Sequence, residues 1–228
     1  SKVTGVPVVN LATKVMAGVS LREQGYSGGL WKKSNLVGIK APVFSMSKLI
    51  GVDSYLGPEM KSTGEVMGID YDFKGALAKA LIASNLMLPE KGSVLLSIAD
   101  RDKAEAVPLV KRLSELGYGL YATEGTASMI AALGLPVKMV TKKLSEGHPN
   151  VVDVIRDGSV HAVVNTITGG RLALKDGFAI RRAATERRMP CYTSLDTMRV
   201  ALEAFTVGGN VYSVERLEDY LNGKRETD

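Results

Sequence analysis

The sequence has few of the residues on which disulfide, metal and membrane proteins depend. It contains one cysteine, Cys191, and two histidines, His148 and His161, in 228 residues. A single cysteine excludes an internal disulfide and is typical of a protein from a reducing cytosol. The histidines do not have the spacing of a zinc motif, so we expect no metal and no cofactor in this chain. No run approaches the roughly 20 apolar residues of a membrane span.

Aromatic residues are also scarce, at 6%, and none alternate with lysine or arginine as a nucleic-acid stacking platform requires. The net charge is +5, and the basic residues are dispersed rather than clustered. This charge suits a small anionic ligand better than a polyanion, although an ordinary solvated surface explains it about as well. The phosphate-binding Gly-x-x-x-x-Gly-Lys-Ser/Thr and the nucleophile motif Gly-x-Ser-x-Gly do not occur in the sequence.

The pattern of the sequence changes near residues 88–92, Leu-Pro-Glu-Lys-Gly, which divides the chain into two parts. Residues 1–88 have an irregular pattern, with a helix predicted over 6–17, a strand over 36–44 and a helix over 72–85. These elements are too few to close a core by themselves. Residues 91–228 alternate apolar runs with amphipathic segments, which predicts an α/β fold with a doubly wound parallel sheet covered on both faces. The predicted strands are 93–98, 119–122, 137–140, 162–165 and 191–193, and the predicted helices are 104–116, 127–133, 151–156, 178–188, 195–205 and 214–221.

Polar residues follow each of the first four predicted strands. They are Ser97, Asp100, Asp102 and Lys103; then Thr123, Glu124, Gly125 and Thr126; then Thr141, Lys142 and Lys143; and finally the stretch from Asn165 to Gly170. Ligands of doubly wound sheets bind beyond the carboxyl ends of the strands, so these residues predict an anion site at one edge. Thr123 and Thr126 open a helix and offer two hydroxyls beside free backbone amides. The alternative is that Thr123 simply caps that helix.

The sequence resembles the carboxy-terminal part of the carbamoyl phosphate synthase large subunit. The residues that show this most specifically are Leu56-Gly57-Pro58-Glu59-Met60-Lys61-Ser62-Thr63-Gly64-Glu65-Val66-Met67-Gly68, which resemble the end of an ATP-grasp synthetase unit. The later stretches Tyr121-Ala122-Thr123-Glu124-Gly125-Thr126-Ala127, Ser145-Glu146-Gly147, Asn165-Thr166 and Ile180-Arg181-Arg182 resemble the family's terminal regulatory domain.

The resemblance implies that residues 1–88 are an incomplete ATP-grasp remnant and that residues 91–228 form a methylglyoxal-synthase-like, Rossmann-type allosteric domain. Family enzymes make carbamoyl phosphate for pyrimidine and arginine biosynthesis from bicarbonate, ammonia and two ATP, with Mg or Mn. Their nucleotide and metal ligands lie upstream of the matched region, so we expect the isolated chain, a fragment or split-gene product, to be inactive. The implied partners are the rest of the large subunit, the glutaminase small subunit and, in an oligomer, further copies.

The resemblance also implies a nucleotide effector of the UMP or IMP type. The effector-binding residues it indicates are Ser97, Lys103, Thr123, Thr126, Lys143, Asn165, Thr166, Asp176 and Ile180. The phosphate would be met by Ser97, Lys103 and Lys143, with Lys142 as the alternative to Lys143 if the loop is shifted. Asp176 and Ile180 would meet the ribose and base. Ile167 departs from the threonine of some bacterial members. The tryptophan that N-acetylglutamate-binding relatives use is missing here, since Trp31 lies in the other part of the chain.

Two other functions stay open at this point. A free-standing methylglyoxal synthase would need a carboxylate after Gly169-Gly170, where this sequence has Arg171. A proton-abstracting enzyme needs a positioned base, so the arginine argues against this lyase. A purely structural module for docking or oligomerisation would not need polar strand ends, although their presence does not exclude it.

Overall fold

The computed structural model describes residues 1–31, 35–44, 60–142, 147–167, 171–205 and 212–222, with side chains described except at 171–176. The helices are α1 (Val8–Met16), α2 (Phe73–Ala83), α3 (Lys103–Glu115), α4 (Glu124–Ala132), α5 (Val151–Arg156), α6 (Arg171–Glu186), α7 (Leu195–Phe205) and α8 (Leu217–Asn222). The strands are β1 (Val37–Val43), β2 (Gly64–Asp70), β3 (Ser93–Ser97), β4 (Gly119–Thr123), β5 (Lys138–Val140), β6 (Ala162–Asn165) and β7 (Cys191–Tyr192).

The five strands β3 to β7 form a parallel sheet in the order β5-β4-β3-β6-β7. All four residues of β6 are buried, as are four of the five in β3, because helices cover both faces of the sheet. After β3 the chain forms β4 and β5 on one side of β3, and it then returns to form β6 and β7 on the other side. The strand order therefore reverses between β3 and β6, which is where such sheets bind ligands. The predicted doubly wound parallel sheet is confirmed.

Two apolar clusters cover the two faces. The larger cluster joins the sheet to α2, α3, α4 and α7, with Leu113, Ile130 and Met198 among its members. The smaller joins it to α5 and α6, with Ile155 and Ile180 fully buried. This arrangement fixes the helices that begin at the carboxyl ends of β3, β4 and β6, and so fixes the side chains at those ends.

The amino-terminal part contains an antiparallel pair, β1 and β2, which the sequence pattern did not predict as a pair. Helix α2 packs against this hairpin and also places Leu77 and Leu81 in the larger cluster. The packing is therefore continuous across residue 88, the boundary predicted from the sequence. Two helices also begin several residues earlier than predicted: α4 starts at Glu124 rather than 127, and α6 at Arg171 rather than 178.

A polar cluster fastens α8 to the amino-terminal part. The Lys79 ammonium lies 3.0 Å from an Asp70 carboxylate oxygen and donates to the Tyr220 hydroxyl at 2.7 Å. Burial alone raises the pKa of Asp70, but the hydrogen bond from Lys79, those from the Tyr71 and Ser213 amides, and the Lys79 charge together hold that pKa below its usual range. A lowered carboxylate pKa stabilises the folded state above the unfolded-state pKa of about 4. That stabilisation is lost as pH falls through the folded-state pKa.

We expect Lys79→Met to loosen α8, because the buried Asp70 carboxylate then loses its cation and Tyr220 loses a donor. Leaving a buried charged group without its partner costs about 1–3 kcal/mol or more. Hydrogen exchange should show faster opening of the α8 amides in this variant, with Lys74→Met, an exposed lysine on the same helix, as the matched control. Unchanged protection of α8 in Lys79→Met would show that the cluster does not hold the helix.

Candidate functional site

The carboxyl ends of three adjacent strands bring predicted site residues to one edge of the sheet. Ser97 ends β3, Thr123 ends β4 and Asn165 ends β6, and all three are buried. The Ser97 carbonyl accepts a hydrogen bond from the Thr166 amide at 3.2 Å and a long one from Asn165 Nδ2 at 3.4 Å. Hydrogen bonds among Ser97, Asn165 and Thr166 thus join the ends of β3 and β6. These three residues were expected to bind a ligand.

Lys103 brings a positive charge to this edge. It is the first residue of α3, and its ammonium nitrogen lies 2.7 Å from an Asp100 carboxylate oxygen. A Cβ built at Gly125, the second residue of α4, would lie 3.0 Å from the same nitrogen. The Lys103 ammonium therefore lies against the amino terminus of α4, where a glycine leaves room for it. That terminus carries the positive end of the helix dipole and amides without intrahelical partners.

Thr123 occupies the N-cap position of α4, with an extended backbone, but its side chain makes no capping hydrogen bond within the described residues. The capping interpretation therefore does not describe the hydroxyl in this structure. Thr123 and Lys103 both lie at the first turn of α4. Together they offer a hydroxyl, an ammonium group and backbone amides to an anion, which is the combination that holds phosphates at helix termini.

The side chain of Thr126 makes contacts within the protein that the sequence did not indicate. Its hydroxyl accepts from the Ile98 amide at 3.0 Å and lies 3.4 Å from the Ile98 carbonyl, and the residue is buried. The hydroxyl of Thr166 likewise accepts from the Ala99 amide, at 2.9 Å. Both threonines thus pin the segment after β3. Their hydroxyls hold this loop, and their role in ligand binding stays a prediction. The Thr126 backbone amide belongs to the first turn of α4.

The sequence reasoning missed Arg181 as a site residue. Its side chain is fully buried and donates to Asn165 Oδ1 at 2.8 Å. Gly177 makes room for it, because a Cβ there would lie 2.6 Å from the Arg181 Nη1 nitrogen and 3.2 Å from Asn165 Oδ1. Arg181 therefore orients the Asn165 amide. Its position one residue after Ile180 in the family motif was the available signal, but nothing in the sequence showed that this arginine points inward.

Three predicted residues are not placed at the edge by the structure. Lys143 lies outside the described residues, and the same holds for the side chain of Asp176, whose backbone belongs to α6. Ile180 is fully buried in the smaller apolar cluster, so its side chain offers no surface to a ribose or base. In this structure Ile180 packs the core instead.

The charges around the edge alternate in sign. The hydrogen bond and charge of Lys103, with a smaller contribution from the Lys142 charge, hold the pKa of Asp100 below its usual range. Glu124 accepts from the Lys142 backbone amide at 3.2 Å, which ties the start of α4 to the residues after β5. Lys142, the alternative to Lys143, is thus within electrostatic reach of the edge.

A cleft of about 350 Å³ lies elsewhere, between β1 and the ends of α2 and α6. Its lining is mostly apolar and includes Phe44, Leu81, Met189 and Cys191. Across the described ranges no group of three histidine, cysteine or acidic residues could hold a metal ion. No helix in that part of the chain is long and apolar enough to cross a membrane.

The fold and this edge together define a Rossmann-type α/β domain with a polar, anion-suited strand edge. The comparison with protein families agrees, since residues 105–193 match the MGS-like domain. That segment is therefore similar to MGS-like domains. A crystal structure of methylglyoxal synthase from Elizabethkingia anophelis is also similar, at a TM-score of 0.40 and 19% identity over 62% of this chain and 95% of that one.

The whole chain has a closer relative. It is 52% identical over 220 residues to the carbamoyl phosphate synthase large chain of Thermomicrobium roseum, covering 96% of this chain and 20% of the relative. The resemblance to the carboxy-terminal part of that large subunit is thereby confirmed. The chain spans about a fifth of the length of this relative. The assignment of residues 1–88 to an ATP-grasp unit stays a prediction.

Proposed function

We propose that this chain is the regulatory part of a carbamoyl phosphate synthase large subunit, and that its MGS-like domain binds a nucleoside monophosphate of the uridine or inosine type. The similarity to the large chain over nearly the whole sequence supports the first half of the proposal. One observation supports the second half above all: the Lys103 ammonium lies against the start of α4, where the Thr123 hydroxyl makes no capping bond. No catalytic role is proposed for the chain by itself.

The phosphate binds at the first turn of α4. A phosphate monoester carries a charge of about −1.5 to −2 at pH 7 and three acceptor oxygens. Lys103 and Thr123 donate to these oxygens beside the backbone amides of Gly125 and Thr126. A lysine from the segment after β5, Lys142 or Lys143, neutralises the remaining charge. This combination favours a phosphate monoester over an uncharged nucleoside.

The nucleoside extends towards the point where the strand order reverses. Asn165 is the polar side chain there. Its Oδ1 atom accepts a hydrogen bond from Arg181, so its Nδ2 atom is the group that can donate to other acceptors. One of its two N–H groups makes the long bond to the Ser97 carbonyl, and the other is the donor proposed for the ligand. Asp176 would contact the ribose, as the resemblance implies.

Calorimetry tests this function directly. We expect UMP or IMP to bind the 228-residue chain, with inorganic phosphate binding more weakly and uridine or inosine hardly at all. The difference arises because the phosphate makes the charge-assisted hydrogen bonds. Absence of binding at millimolar nucleotide would contradict the proposal. Equal binding of UMP and uridine would also contradict it, because the phosphate would then contribute nothing.

In the complete enzyme the effector would shift the activity of the synthetase units. Such coupling requires that the effector bind two states of the large subunit with different affinity. The isolated chain would therefore bind the nucleotide without regulating anything. We propose that this binding acts in an enzyme that also contains the rest of the large subunit and the glutaminase small subunit. That enzyme would serve pyrimidine and arginine synthesis.

A further inference from the structure

The lysine proposed to bind phosphate already has an anionic partner within the chain. Asp100 Oδ1 lies 2.7 Å from Lys103 Nζ, a distance typical of a charge-assisted hydrogen bond. The two side chains differ in exposure: that of Asp100 is 91% exposed, whereas that of Lys103 is 24% exposed. The carboxylate thus reaches the ammonium from the solvent side, which is the side from which a ligand must also arrive.

We propose that Asp100 sets the affinity of the site, as an internal anion that a ligand must displace from Lys103. This inference rests on the proposed function and concerns the same site. The Lys103 ammonium has three N–H donors, but a carboxylate and a phosphate that both approach it repel each other. We therefore expect the Asp100 side chain to rotate away into solvent when a phosphate binds.

The backbone around Asp100 is held in place, so the movement belongs to the side chain. The preceding residue, Ala99, donates its amide to the Thr166 hydroxyl at 2.9 Å, and the Arg101 guanidinium donates to the Ile167 carbonyl at 2.9 Å. Both bonds fasten the turn to the residues after β6. A solvent-exposed carboxylate on a fixed turn can leave Lys103 by side-chain rotation alone.

If Asp100 competes for Lys103, the competition should raise the dissociation constant of every ligand that binds Lys103 by the same factor. The apparent dissociation constant is the intrinsic one divided by the fraction of molecules in which Lys103 is accessible. That fraction depends on the strength of the ion pair between Asp100 and Lys103, and it does not depend on the ligand. A general charge effect behaves differently, because removing a negative charge from the surface favours a dianion more than a monoanion.

The test compares Asp100→Asn with Asp102→Asn. Exposed ion pairs have modest strength, so we expect Asp100→Asn to tighten binding of UMP, IMP and inorganic phosphate by about two- to fivefold, with one factor for all three. Asp102 lies two residues away in the same turn and pairs with Arg101 at 3.3 Å rather than with Lys103. Asp102→Asn makes the same change in net charge and should leave the affinities unchanged. Equal gains in the two variants would overturn the inference.

A double-mutant cycle completes the test, because the effect of Asp100 requires Lys103. In a Lys103→Met background, Asp100→Asn should leave nucleotide affinity unchanged. A persistent gain in that background would overturn the inference. If Asp100→Asn has no effect while Lys103→Met weakens binding, the inference fails and the proposed function stands. If neither nucleotide nor phosphate binds any of these proteins, the proposed function fails and the inference fails with it.

Discussion

Replacing Gly68 by alanine should lower the free energy of unfolding by about 3 kcal/mol, at the upper end of what overpacking usually costs. Gly68 lies in β2 under α2, where a Cβ would come 1.9 Å from the Ala76 carbonyl oxygen and 2.7 Å from the Ala80 amide nitrogen. Both are backbone atoms of a helix, so no side-chain rotation relieves the overlap. The helix must move off the hairpin, and α2 also packs into the larger apolar cluster.

The same strand offers a matched control. Among the described residues, no atom lies within 4 Å of a Cβ built at Gly64, the first residue of β2. Surface substitutions of this kind change stability by about 0.5 kcal/mol or less. Urea unfolding of Gly68→Ala and Gly64→Ala measures the difference. Equal midpoints for the two variants would show that α2 does not pack on β2 as the structure has it.

Replacing Lys103 by methionine should weaken UMP or IMP binding by about 10- to 150-fold. The removed interaction is a hydrogen bond between two charged groups, worth about 1.5–3 kcal/mol, and each 1.4 kcal/mol is about tenfold in affinity. Methionine keeps most of the length of the side chain against Gly125, so the packing at the start of α4 changes little. The sequence resemblance implied phosphate contacts for both Lys103 and Lys143, and Lys143 lies outside the described residues.

Lys111→Met is the control for this variant. Lys111 is an exposed residue of the same helix, eight positions or about 12 Å further along α3. Its replacement removes the same charge from the chain and should change nucleotide affinity by less than about twofold, because surface charges this far apart are largely screened. Similar losses in both variants would mean that net charge, rather than the α4 terminus, attracts the nucleotide.

The sequence predicted the sheet well where strands are fully buried. Strands β3 and β6 are short apolar runs bounded by polar residues, and the parallel fold requires such runs. Strand β2 was missed because its two glycines weaken the strand pattern, and because its pairing with β1 joins distant parts of the chain. Helix α6 was predicted too short because Gly177 looks like a helix breaker, whereas in the structure it makes room for Arg181.

The candidate site was predictable as a region but not in its details. Polar residues at the ends of parallel strands must share an edge, so Ser97, Thr123 and Asn165 were expected to lie together. Whether a hydroxyl binds the backbone or a ligand depends on contacts between distant loops. The sequence therefore could not show that Thr126 holds Ile98 while Thr123 makes no cap bond.

The most direct test of the nucleotide site is an amide NMR titration of the isotopically labelled chain with UMP and IMP. We expect the largest shifts at the first turns of α3 and α4 and at the end of β6, with Lys103, Gly125 and Thr166 as reporters. The 350 Å³ cleft near Ser84 and Asn85 should show little change. Shifts confined to that cleft, or no shifts at millimolar nucleotide, would show that the nucleotide does not bind at the edge formed by β3, β4 and β6.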